Sequence, residues 1–574
     1  MTFPEKLKLI SHVLYWRLTW SRHDMDFKPK GPVSKKFISA REAAALFPDG
    51  ATVFSSGIAG NARCTTFYFA LRNRFQSGGH PKDLTWINCG GQGSRGRVPG
   101  TMEELGLPGL VKMYLTAHLE TTKAQLKLGQ AGQIELQTLP QGVISLLLEE
   151  QGKGNHSLVS KVGLGSFLDP RTGRGSGVTQ PSSASFVEAE GDALRYTMPP
   201  VGIALMNVPY ADEEGNLYFK NAATITENMQ SIRAARKNGG LVMATVSGII
   251  PKSPGEIGIP ASDVDYIVVN RYNEQVGSVL QRYYWPMFTP EAKSDRTKDV
   301  QKLRFINRML KITPVRSELD QVMGRMAATL LVRETPKNGM VNIGIGFPEE
   351  VARLLVENGV EDDYLFTTEA GSYGGLPAPG IFFGAAVQPR HLEPSSVMFK
   401  RYQTDLATAV LGFLQVDSEG NVNVSKRGPK ITDYVGPGGF PDIVSGAHTI
   451  IFIGKWSPDA QFEVKENEVR LLKPGAPKFL EQVDEITFNG REGLKAGKHI
   501  YYVTNVGVFQ LLPEGLTLRA VFPGIDIERD ILGQAKARII VPPPDSIEWI
   551  DGGIVSGKGF RLEHAIAEMR APTV

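Results

Sequence analysis

Two periods organise the apolar positions of this chain, one helical and one strand-like. At the start, Phe3, Leu7, Ile10 and Leu14 recur at helical spacing, and Trp16, Leu18 and Trp20 follow. Lys6, Lys8, Arg17 and Arg22 lie between or beside them. The pattern predicts a basic amphipathic helix, of a kind that can rest on a membrane surface. Packing on the protein's own body or on a neighbouring subunit is the preferred reading. No continuous apolar core precedes a small-residue cleavage site, so the segment does not read as a secretory signal. After a basic connector, Lys28 to Lys36, the period changes. Ala51 to Ser56 reads as a strand entering the glycine turn Gly57-Ile58-Ala59-Gly60. Residues 64–75 read as a helix with Phe67, Leu71 and Phe75 on one stripe. Leu84 to Asn88 is a second strand, and it opens into Gly90-Gly91-Gln92-Gly93-Ser94-Arg95-Gly96.

The second half repeats this plan. Met340 to Ile345 reads as a strand broken by Gly344 and Gly346. A helix follows. Pro348 suits its first turn, Glu349 and Glu350 complement the positive end of its dipole, and Gly359 suits its exit. Val351, Leu354 and Leu355 supply the buried face. The strand Tyr364 to Thr368 then ends at one carboxylate, Glu369, and a stretch dense in Gly and Pro with no apolar period. If the two strands are parallel neighbours, a right-handed crossover puts both carboxyl ends on one edge, where open α/β sheets bind ligands. Asn342, Gly344, Gly346 and Glu369 then share one crevice. An ordinary solvated loop carboxylate is the alternative reading of Glu369 at this point.

A second pair of segments shows the duplication. Ala211-Asp212-Glu213-Glu214-Gly215-Asn216-Leu217 is similar to Val416-Asp417-Ser418-Glu419-Gly420-Asn421-Val422, and each reads as a turn built on Glu-Gly-Asn. The charged stretch Pro290 to Arg304 looks like the join. The expected fold is two related open α/β domains with the active site between them. We expect an N-terminal extension over 1–37, halves over 38–295 and 315–574, and a linker over 296–314.

Composition narrows the function. A chain of 574 residues exceeds what one core usually serves. A formal charge of +3 gives no support for nucleic acid as a partner. Cys64 and Cys89 form no CxxC pair, and the nine histidines contain no HExxH, so no disulfide framework or metal site is indicated. No run of about 18 apolar residues predicts a transmembrane helix. The expectation is a cytoplasmic enzyme. Gly91 to Gly96 matches GxGxxG, but Val98-Pro99-Gly100 blocks the helix that a dinucleotide site needs. Gly552 to Lys558 matches GxxxxGK, but Gly559 replaces the hydroxyl residue that would hold magnesium. Ala370-Gly371-Ser372-Tyr373-Gly374 is a variant serine-hydrolase elbow, with Ser372 as nucleophile and His391 or His448 as base. It is the rival reading, weakened by the glycines and prolines that follow where a helix should start.

Several blocks, in order from about Phe37 to about Pro542, resemble the family I coenzyme A transferases of the fused, single-chain acetate or propionate type. They include Pro48-Asp49-Gly50-Ala51-Thr52-Val53 with Gly57, Leu139-Pro140-Gln141-Gly142-Val143-Ile144, and Lys161 to Arg171. They continue with Asn342-Ile343-Gly344-Ile345-Gly346-Phe347-Pro348, Glu369-Ala370-Gly371 with Gly374-Gly375, Gly436-Pro437-Gly438-Gly439-Phe440, and Pro523 to Asp530. The resemblance implies Glu369 as the nucleophile, with Asn342 and the backbone of Gly438 near the oxyanion. It places Gln141 in the substrate pocket, contributed by the first half, and Gly344, Gly346 and Gly439 beside the CoA arm. It further implies acyl-CoA and short-chain carboxylic acids as partners, no metal or redox cofactor, CoA as a substrate, and a homodimer or homotetramer. A non-catalytic CoA-binding protein is the remaining alternative. The chain departs from the pattern at Met398-Phe399-Lys400-Arg401-Tyr402-Gln403-Thr404, where nearer family members are glycine-rich. Lys400 and Arg401 are expected there to alter the acyl pocket or oppose an acid.

Overall fold

A computed structural model describes residues 1–94, 98–272, 285–311 and 315–562. Arg95 and Gly96 of the glycine motif, and residues 312–314 at the end of the expected linker, lie outside the described residues.

The first half is built outward from one central strand. Strand β1 (Thr52–Ser55) leads through helix α1 (Thr65–Gly78) to β2 (Leu84–Asn88), then to β3 (Val111–Thr116) and β4 (Glu135–Gln137). The chain then crosses to the other side of β1 and lays down β5 (Ile203–Ala211), β6 (Leu241–Ile249) and β7 (Tyr266–Val269). The order is β7-β6-β5-β1-β2-β3-β4, parallel along this path. Every residue of Leu84–Asn88 is buried, as a parallel sheet covered on both faces requires. Alternate positions feed two separate cores. Val53, Trp86 and Tyr114 line one face of the sheet, and Phe54, Ile87 and Leu115 line the other.

The second half repeats the central frame. Strand β8 (Met340–Ile343) leads through α2 (Pro348–Asn358) to β9 (Leu365–Thr367), and the chain returns on the far side as β10 (Leu406–Gly412), β11 (Thr449–Ile453) and β12 (His499–Val503). These run β9-β8-β10-β11-β12 in parallel, extended by an antiparallel pair, Gly507–Leu512 and Gly515–Val521. β8 and β9 are parallel neighbours, the condition on which the shared crevice rested, and Asn342 lies opposite Thr367. The Glu-Gly-Asn turns repeat atom for atom. Asp212 accepts from the Asn216 backbone N–H (3.0 Å) and side chain (2.8 Å), and Asp417 accepts from Asn421 in the same two ways (2.9 and 3.0 Å).

The charged join is a helix, Arg296–Met309, capped by the Asp295 side chain. Val300, Leu303 and Ile306 enter the second-half core, and Asp299 is buried beside them, accepting from Lys302 Nζ at 3.0 Å. Each such buried apolar side chain contributes about 1.5–3 kcal/mol. The N-terminal helix, Phe3–Thr19, has a capping box between Thr2 and Glu5, and Val13 and Trp16 join the same core. It therefore packs on the protein's own body, with His12 edge-on to the Trp285 ring at 5.4 Å and Val13 and Trp16 in the core that the join helix also enters.

Candidate active site

Glu369 stands two residues past the end of β9, in a loop that turns sharply at Gly371, whose φ is +102°. A Cβ there would sit 1.8 Å from the Glu393 carbonyl oxygen, so only glycine lets the chain turn back so closely. The turn holds Glu369 at the strand end, facing a cavity of about 560 Å³. That cavity lies between the halves. Ile58, Ala59 and Gln141 line it from the first, and Asn342, Gly344, Ile381, Phe383 and Phe440 line it from the second.

The Glu369 carboxylate is half-buried, and its Oε2 accepts a hydrogen bond from Gln141 Nε2, at 2.8 Å. Burial pushes its pKa up to about 7, and the Gln141 bond pulls the other way. Gln141 reaches it because it is the first residue of helix α3 (Gln141–Lys153), whose N-terminus points at the site. Gly439 closes the other side. A Cβ at Gly439 would lie 2.6 Å from Glu369 Oε2.

The expected residues fall together, with one correction. Gly344, Gly346, Gly438 and Gly439 all line the cavity with Glu369, Asn342 and Gln141. The Gly438 amide, however, is not free to hold an oxyanion. Its N–H donates to the Ala117 carbonyl at 2.8 Å, and its own carbonyl accepts from Gln141 N at 3.0 Å. Gly438 serves as a strut between the halves. The adjacent Gly439 N–H donates to no acceptor among the described residues. Asn342 Nδ2 donates to the Tyr402 hydroxyl at 3.0 Å, while its Oδ1 is buried without a partner among the described residues.

Three residues that motif reading missed support this arrangement. Tyr402, fully buried, holds Asn342 from behind; burial pushes its hydroxyl pKa up, and the nearby Glu369 charge adds to this. Asp442 belongs to helix Phe440–Gly446 of the second half, but its Oδ2 accepts from Gly142 N of α3, at 2.9 Å. Burial raises the Asp442 pKa well above the carboxylate range, and the neighbouring Glu369 raises it further. Glu227 returns the exchange. It belongs to the first half and accepts from Gly57 N at 3.0 Å and from Ser395 Oγ of the second half at 3.0 Å. Burial raises its pKa too, against those two hydrogen bonds. Each half thus gives a buried carboxylate to the start of a helix in the other half. In the sequence, Asp442 reads as a cap for its own helix, Tyr402 lies in the stretch that departs from the family pattern without a sign of this role, and nothing marks Glu227.

Lys400 and Arg401 do not act as expected. They sit on the helix Ser395–Asp405; Lys400 pairs with Glu149 at 2.6 Å, and Arg401 forks onto Glu393 with two bonds of 2.8 Å. Neither lines the cavity. The serine reading also fails. After Ser372 the chain continues as a short strand antiparallel to β9 and to His391-Leu392, with no helix. Ser372 Oγ is buried without a partner among the described residues. His391 is bonded to Glu393 at 2.8 Å, and His448 is packed against His499.

Known proteins are similar to this chain over most of its length. Residues 37–270 match the profile of the coenzyme A transferase family. The chain is 33% identical over 541 residues to caffeate CoA-transferase of Acetobacterium woodii, covering 92% of this chain and 99% of that one. It is 29% identical over 518 residues to acetate CoA-transferase YdiF of Escherichia coli, covering 88% and 93%. The crystal structure of Escherichia coli acyl-CoA transferase YdiF as a thioester complex with CoA superposes with a TM-score of 0.79 at 26% identity, over 92% of this chain and 98% of that one.

Proposed function

Because this chain belongs to the coenzyme A transferase family and is a CoA-transferase, we propose that it works through Glu369 as a covalent nucleophile. The donor is a short-chain acyl-CoA and the acceptor a carboxylic acid. The observation that carries the reading is a half-buried carboxylate at a strand end, held among the described residues by one donor from the opposite half and facing a largely apolar cavity. Burial makes such a carboxylate scarcer at neutral pH but more basic, hence a better nucleophile when ionised.

A Glu369 oxygen attacks the thioester carbon, the C–S bond breaks, and CoA leaves as thiolate. The product is a mixed anhydride of the acyl group and Glu369. The thiolate then attacks the glutamyl carbonyl and expels the acyl group as a free carboxylate, leaving a Glu369–CoA thioester. An incoming acid runs the steps in reverse and departs as its own CoA ester. Each tetrahedral intermediate places negative charge on a former carbonyl oxygen. In this reading the Gly439 N–H and the Asn342 amide donate to it, each contributing about 3 kcal/mol. The glycine walls at 344, 346 and 439 let the pantetheine arm pass close to the backbone. Binding along that arm supplies the energy to exclude water. Gln141 keeps the carboxylate ionisable near neutral pH. No metal or redox cofactor enters the cycle. The reading extends to a cytoplasmic homodimer or homotetramer.

The test is the intact mass of the protein after mixing with acetyl-CoA and no acceptor, beside Glu369→Gln. A CoA-sized adduct on the parent, mapped to Glu369 and missing from the variant, is expected. An adduct on another residue, or one retained by the variant, overturns the assignment. No adduct with acetyl-, propionyl- or butyryl-CoA removes the short-chain donor.

A further inference from the structure

The N-terminal helix, Phe3–Thr19, has two apolar faces, and only one is used. Val13 and Trp16 are buried on the body. On the opposite side Phe3, Leu7, Leu14 and Leu18 stand 78, 55, 58 and 79% exposed. At about 100° per residue these four fall within an arc of about 60°, in a row about 22 Å long. Of the nine large apolar side chains exposed among the described residues, five belong to this helix, with Tyr15 as the fifth. The row is not a stray patch.

Charge says what covers it. Lys6 and Arg17 flank the row on one side and Lys8 on the other, with Arg22 just beyond, and all four are exposed. Against these four cations the first 22 residues hold one carboxylate, Glu5, which caps the helix start. Their formal charge of +3 equals that of the whole chain, so the remaining residues sum to zero. The segment also precedes residue 37, where the family match begins.

We infer that this helix docks the protein on an anionic lipid surface. The apolar row enters the boundary between headgroups and acyl chains, and the flanking cations meet lipid phosphates. A second copy of the chain is a poorer occupant. A twofold contact through this face would set like cations against each other, whereas protein interfaces deplete charge at their centres. One short helix gives reversible attachment, so the enzyme partitions between surface and solution.

The test is co-sedimentation of the full-length protein with vesicles of phosphatidylcholine alone or mixed with phosphatidylglycerol, alongside its mass in solution. Binding to the mixed vesicles is expected to exceed that to neutral ones about tenfold and to fall as salt rises. Leu7→Glu with Leu18→Glu should lower it about tenfold or more. Lys6→Gln, Lys8→Gln and Arg17→Gln together should erase the preference for anionic lipid. CoA transfer and melting temperature, unchanged in all of these variants, show that the body is folded. No binding to anionic vesicles overturns the inference, as does equal binding by the Leu7→Glu, Leu18→Glu protein. If that pair of substitutions splits an oligomer while the parent ignores vesicles, the face belongs to a second copy.

Discussion

β2 and β9 are the same strand in the two halves, and they end in opposite ways. Each lies parallel to the first strand of its half and is reached through one helix. Two residues past β9 stands Glu369; two residues past β2 stands Gly90. A Cβ at Gly90 would lie 2.9 Å from Gln141 Oε1. In the proposed mechanism one strand end carries the reactive group, and its counterpart lacks a side chain so that Gln141 can reach that group. Duplication supplied two similar frames, and facing them across a cleft gave them different work. The lesson is that an empty position can be as much a part of this site as a filled one.

The heaviest way to break this comparison is to remove the filled end. Glu369→Gln should lower transfer by about 10⁴-fold or more while leaving the fold intact, as steady-state assays and circular dichroism would show. Next comes the wall at Gly439. Gly439→Ala places a methyl 2.6 Å from Glu369 Oε2 and should cut kcat about 10²-fold or more. Gln141→Ala tests the donor from the opposite half. Its hydrogen bond lowers the Glu369 pKa from a value that burial raises, so losing it shifts the rising limb of the pH–rate profile, expected near 7 in the parent, to higher pH. At neutral pH the loss should be about tenfold. An unmoved limb would detach Gln141 from Glu369. Gly90→Ala sharpens the comparison most gently. It should reproduce the direction of Gln141→Ala at a few-fold effect, because the added methyl presses on Gln141 Oε1.

The same carboxyl also bears on stability. Its folded pKa, about 7, lies above the ordinary 4.5, so the folded protein holds a proton that the unfolded chain has lost between those values. That contribution is fully present below about pH 4.5 and is lost as pH rises through 7, at most about 3 kcal/mol in all. Glu369→Gln should therefore melt higher than the parent at pH 8 and equally at pH 4.5, as calorimetry would show. Equal melting at both values would mean that the carboxyl is not strained.

Much of the frame was legible in the chain. The strand before Glu369, the helix from Pro348 and the paired Glu-Gly-Asn turns follow from local period, capping and turn chemistry, and each is where those rules place it. The join at 296–309 was not, because a charged stretch with Val300, Leu303 and Ile306 at helical spacing reads as a connector until a core is there to receive them. Lys400 and Arg401 misled for the converse reason. A cation in a motif position draws attention, but Glu149 and Glu393, far along the chain or on another loop, take both away from the pocket.

The sequence by itself determined the repeated strand–helix–strand plan, the strand end that bears Glu369, and the glycines around it, since these depend on neighbours in the chain. The tertiary structure alone decided how Glu369 is used. Gln141, 228 positions away, becomes its donor; Asp442 and Glu227 tie helix starts across the interface; and the amide of Gly438 is spent on Ala117, leaving that of Gly439. The physical reason is that proton affinity, solvent exclusion and donor availability depend on which surfaces face each other, and local pattern carries no record of that.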